Sequence, residues 1–148
     1  MSFAERTVWA EFLSTLAVIA VFAWLIAARH AAGAFAGPDW AMAWARQVLW
    51  MIGLGIAVAI AVSVLFAILW RVITGEEPDD LVDERDRLIS GHGWKVALIV
   101  TSAGFVAALG ALALGAGPFA ALNGMLASFA LGDLAGNCAR LLRYRASR

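Results

Sequence analysis

VLWMIGLGIAVAIAVSVLFAILW, residues 48–70, holds no charged side chain, and Ser63 is its one hydroxyl. As a helix rising 1.5 Å per residue it covers about 35 Å, enough to cross a hydrocarbon core about 30 Å thick. Arg71 ends the run, and Thr74-Gly75 supplies a helix stop. On its amino-terminal side Trp40 and Trp44 precede Arg46. Indole rings favour the headgroup level, so this stretch is expected to form a short helix lying at the membrane interface.

Composition places the whole chain with that stretch. Of 148 residues, 63% are hydrophobic and 15% charged, against about a quarter charged in soluble domains. So short a chain cannot bury that much apolar surface in water, and the expected solvent is lipid. Acidic and basic residues balance at 11 each, which argues against nucleic acid as a partner. Cys138 is the single cysteine, so no intrachain disulfide forms.

Three more apolar segments flank the first one. The chain begins with Ser2 and Glu5 in capping-box spacing, and an apolar run gives a span over about 9–28, closed by Arg29-His30. The run is longer than a signal peptide's core, and Glu5 and Glu11 spoil a basic leader, so it is expected to be retained. A third span covers about 96–114, and Gly115-Ala116-Gly117-Pro118 makes a tight uncharged turn. The fourth covers about 119–142 and runs into Arg140, Arg143, Arg145 and Arg148. The expected fold is all-α: an integral membrane four-helix bundle forming one transmembrane domain over 1–148, with a charged segment at 71–95 between the second and third spans.

The basic residues set an orientation. With four spans, one side holds Arg6, Arg71, Arg85, Arg87, Lys95, Arg140, Arg143, Arg145 and Arg148, and the other only Arg29 and Arg46. The positive-inside rule then places both termini and the central segment in the cytoplasm, in a multi-pass protein of the bacterial inner membrane.

In lipid, helices associate through small residues that let backbones approach and through polar groups that bond across. Gly124, Ser128, Gly132 and Gly136 recur every four residues on the fourth span. They read as internal bundle packing, with a dimer face as the alternative. Weaker rows are Ala103, Ala107, Ala111 and Gly115 on the third span, and Gly53, Ala57 and Ala61 on the second.

Two polar groupings are candidate sites. Asp133, Asn137, Arg140 and Tyr144 share a face by i, i+3 and i+4 spacing. Asp133 falls roughly 20 Å along a helix begun at Phe119, in the inner leaflet. There a carboxylate needs a partner, a wet cavity or a proton. It reads either as a coupling site or as a structural aspartate with Asn137 beside it and Arg140 reaching toward it. Glu11 lies at the cytoplasmic end of the first span, where Arg6 or a basic residue of the fourth helix can pair with it. The second grouping is Asp83-Glu84-Arg85-Asp86-Arg87, the dense charge cluster of the chain. Asp83 and Arg87 have the better order for a helical ion pair, and Leu81, Val82, Leu88 and Ile89 supply an apolar edge. The cluster is expected to clasp the cytoplasmic mouth of the bundle, with Arg85 or Arg87 reaching toward Asp133 or Asn137. Gly91-His92-Gly93 reads as a flexible joint after it.

No enzyme is indicated. The glycines form neither a phosphate-binding loop nor a dinucleotide fingerprint, and no serine has a plausible base. His30, His92 and Cys138 have no metal-ligand spacing, and no cofactor is expected.

Two resemblances add to this reading. Asp83-Glu84-Arg85-Asp86-Arg87-Leu88-Ile89, with Asn137, Arg140, Leu141, Leu142, Arg143, Tyr144 and Arg145 at the end of the fourth span, resembles small four-span bacterial membrane proteins of unknown function. That resemblance implies the topology and no activity. The Ala10-Glu11 pair in the first helix is similar to small multidrug transporters, in which a membrane-embedded glutamate exchanges protons for cationic drugs. The expected function is a non-enzymatic accessory or regulatory protein that presents its charged segment to a partner. That partner is another protein or a second copy of the chain, within a lipid bilayer. The alternative is a small proton-coupled transporter or channel using Asp133 and Glu11.

Overall fold

The structure is a computed structural model that describes residues 3–75 and 84–146. It holds four helices: α1 Phe3–Ala31, α2 Trp40–Thr74, α3 Glu84–Ala113 and α4 Pro118–Ala146. All four are long and apolar enough to cross a membrane.

Helix ends follow from local chemistry. Gly33 and Gly115 take positive φ just past α1 and α3. Beyond each, the chain folds back so that Ala34 N–H reaches the Arg29 carbonyl and Ala116 N–H the Ala111 carbonyl. This is the Schellman arrangement that satisfies otherwise orphaned helix carbonyls. Gly75 closes α2 with φ 69° and an N–H bond to the Arg71 carbonyl. Pro118 opens α4, where its missing N–H costs nothing. Glu84 and Asp86 sit in the first turn of α3, where the helix dipole favours acids.

Two expectations about helix boundaries change. The separate interfacial helix around Trp40–Arg46 is instead the first part of α2, which is continuous to Thr74. Nothing between Trp44 and Val48 breaks a helix, and Ala41, Ala43 and Ala45 favour one. The joint at Gly91-His92-Gly93 is also helical, inside an unbroken α3. The Ser2 cap, Leu81, Val82 and the Asp83 end of the charged cluster lie outside the described residues.

The chain divides into two compact units. One comprises Met1–Phe12 and Pro78–Arg148, the other Leu13–Glu77. In the second, a Cβ placed on Gly55 of α2 would stand 3.6 Å from the Phe22 ring of α1, an ordinary contact. Met51 and Val48 are buried. Most large apolar side chains of α2 face outward, among them Trp50, Ile56, Ile60 and Leu65.

The first unit is built on the antiparallel pair α3–α4. The α4 stripe Gly124, Ser128, Gly132 and Gly136 faces α3 along its length. Gly136 lies on Gly93 and Ala97, Gly132 on Ala97 and Thr101, Ser128 on Gly104, and Gly124 on Ala108. A Cβ added at Gly93 would come within 2.9 Å of the Gly136 carbonyl oxygen, and one at Gly136 within 2.9 Å of the Gly93 carbonyl oxygen. The two backbones therefore touch where both residues lack side chains. Ser128 is only 2% exposed and keeps its hydroxyl satisfied on the Met125 carbonyl at 2.6 Å. The α3 side of the seam is thus Gly93, Ala97, Thr101, Gly104 and Ala108. The alanine row expected there, Ala103, Ala107 and Ala111, is exposed, as are Gly53, Ala57 and Ala61 of α2.

Candidate functional site

The polar groups gather where the start of α1, the start of α3 and the end of α4 meet. An apolar knot holds the three together: Val8, Ile89, Leu141 and Tyr144 are buried against one another, with Trp9 and Phe12 packed on them. Trp9 meets Phe12 edge-on at 6.0 Å, an arrangement that suits the ring quadrupoles. The Arg145 guanidinium lies over the Trp9 ring, 5.7 Å from its centroid.

Around the knot run two polar connections. Arg140 Nη1 is 2.9 Å from Glu11 Oε2, and its Nη2 donates to Asn137 Oδ1. Asn137 is 1% exposed, the Arg140 side chain 20% and that of Glu11 45%. One guanidinium fork therefore serves a buried amide oxygen on its own helix and a half-exposed carboxylate on α1. Gly93 makes this possible, because a Cβ there would press to 2.5 Å on Arg140 Cγ. In the second connection Tyr144 Oη donates to Asp86 Oδ1 at 2.9 Å, across 58 residues of sequence. Tyr144→Phe removes this bond, so it is expected to lower stability by about 0.5–1.5 kcal/mol. Detergent unfolding monitored by circular dichroism measures the loss, and an unchanged midpoint would show that the bond contributes nothing.

The sequence-derived candidates separate in the structure. Glu11, Asn137 and Arg140 come together, whereas Asp133 is exposed on α4 one turn before Asn137. The fourth-helix pairing of Glu11 is made by Arg140. In the charged cluster Asp86 is half-buried and reaches Tyr144, whereas Glu84, Arg85 and Arg87 are exposed, and Asp83 lies outside the described residues. An acid and a phenol, Asp86 and Tyr144, thus make one clasp across this end, beside the exposed Arg85 and Arg87. The apolar edge splits likewise, with Ile89 in the knot and Leu88 facing out. Two participants carried no signal in the sequence. Asp86 looked like its charged neighbours, and the Trp9–Arg145 stack joins residues at opposite ends of the chain.

Among the described residues, no group of three or more His, Cys, Asp or Glu side chains is placed to hold a metal ion. Compared with known proteins, the chain matches no family model, no curated protein and no solved structure.

Proposed function

We propose that this chain is a multi-pass integral protein of the bacterial inner membrane, with its charged end in the cytoplasm. There it acts without enzymatic chemistry, as an accessory or regulatory protein that presents Glu84, Arg85 and Arg87 to a protein partner. One observation carries this reading. The inward polar groups Glu11, Arg140, Asn137, Asp86 and Tyr144 bond to one another and tie three helix ends together. The flanking charges Glu84, Arg85 and Arg87 remain on the surface. A rigid base with an outward charged face suits recognition. The outward apolar side chains of all four helices support the membrane setting, and nine cations against two support the orientation.

Three measurements test the proposal. Reporter fusions are expected to place the Gly117 turn outside the cytoplasm, and a cytoplasmic signal there would overturn the topology. Arg85→Glu with Arg87→Glu is expected to abolish crosslinks to the partner in protein that still accumulates in the membrane; retained crosslinks would count against a recognition face. In proteoliposomes neither wild type nor Asp133→Asn is expected to carry protons. A flux that vanishes in Asp133→Asn would establish the transporter alternative instead.

A further inference from the structure

Beside the knot, the outer face of α3 carries an open groove of about 780 Å³ whose lining includes Arg85, Arg87, Gly91, His92 and Lys95, with Arg143 from α4. Among the described residues, four permanent cations line it against one acid, Glu84. Gly91 forms its floor, and a Cβ there would meet nothing within 4 Å. Arg87 and Lys95 stand one turn to either side of Gly91 on the same face, each about 6 Å away along the axis. The result is a notch without a side chain, bracketed by two long cationic ones. Just beyond Lys95 on the same face come Leu98 and Ile99, both about two-thirds exposed, and Trp94 lies alongside, more exposed still. The groove is therefore basic where α3 leaves its apolar stretch and continuous with apolar surface below.

We propose that this groove binds the phosphate of an anionic phospholipid, with the headgroup over Gly91 between Arg87 and Lys95 and the acyl chains along Leu98 and Ile99. The inference rests on the reading that the helices cross a bilayer. Two features favour a lipid over a free anion. The cations converge at the depth where an interfacial tryptophan belongs, and the apolar surface begins within one turn of Lys95. Arg87 can bond phosphate oxygens in pairs, and Lys95 can rise along its alkyl stem from the apolar side.

The test uses the full chain in nanodiscs of phosphatidylcholine containing phosphatidylglycerol, with retained lipid counted by native mass spectrometry. Insertion is checked first by resistance to carbonate extraction; protein that is extracted refutes the membrane reading itself, separately from the lipid site. For inserted protein, wild type is expected to retain phosphatidylglycerol preferentially. Each cation removed should lower that preference about five-fold, so Arg87→Gln with Lys95→Gln lowers it about 25-fold. Gly91→Leu, which fills the notch, adds no charge and places its Cβ where nothing lies within 4 Å, should lower it comparably. Equal retention by wild type and the double variant, an unaffected Gly91→Leu, or displacement of the lipid by millimolar inorganic phosphate would each overturn the proposal.

Discussion

Gly132→Ala is expected to destabilise the α3–α4 pair by about 1–3 kcal/mol, the range for forcing a methyl group into a closed interface. The loss should appear although alanine favours a helix over glycine by about 1 kcal/mol. A Cβ at Gly132 would overlap the Thr101 hydroxyl and stand 2.9 Å from the Ala97 carbonyl oxygen. The hydroxyl can rotate away, but the carbonyl belongs to a helix and cannot. Gly136→Ala meets the Gly93 carbonyl at the same distance, so the double variant should lose more than either single one and separate the helices. Gly53→Ala is the control, because a Cβ there meets nothing within 4 Å; it should be neutral or slightly stabilising. Unfolding in mixed micelles under increasing dodecyl sulfate reads all four. A Gly132→Ala protein as stable as Gly53→Ala would mean that the seam does not hold the pair.

Arg140→Ala should be the most damaging change at the charged end, costing about 2–3 kcal/mol. It removes a charge-assisted bond to Asn137, worth about 1.5–3 kcal/mol when the acceptor is left buried. It also breaks the ion pair to the half-exposed Glu11 carboxylate, which costs little. Glu11→Gln should therefore cost under about 1 kcal/mol. Arg140→Lys should fall between them, since one compact ammonium does not reproduce the two separate nitrogens that a planar fork directs at Glu11 and Asn137. The same unfolding assay ranks the three. If Glu11→Gln equalled Arg140→Ala, the ion pair rather than the buried amide would be the principal tie.

What could be read from residue order was mostly what depends on local pattern. Four helices were legible because charge-free runs of that length have few other uses, and the glycine-serine stripe because its spacing of four matches one helix face. The partner row on α3 was not, because Gly93, Ala97, Thr101, Gly104 and Ala108 mix residue types and shift spacing at Thr101, whereas the regular alanine row stood out for composition alone. Gly91 and Gly93 looked like a hinge, since glycine weakens an isolated helix. Gly93 proves to be the place where α4 and Arg140 come close, a requirement visible only once the partner is in position. At the candidate site the i, i+3 relation of Asn137 and Arg140 was readable, and so was an acid at Glu11 to be paired by Arg6 or by a base on the fourth helix. Which of the charges from Glu84 to Arg87 turns inward was not, because that depends on the rotation of α3 fixed by its seam with α4.

The placement of Glu11 and Arg140 also has a consequence in time. Some 130 residues of synthesis separate the two, so at about 5–20 residues per second Glu11 waits on the order of ten seconds for Arg140. Throughout that interval the amino-terminal turn with Val8, Trp9 and Phe12 lacks Leu141 and Tyr144 to cover it. The last turns of α4 to leave the ribosome are therefore the ones that complete the assembly begun by the first.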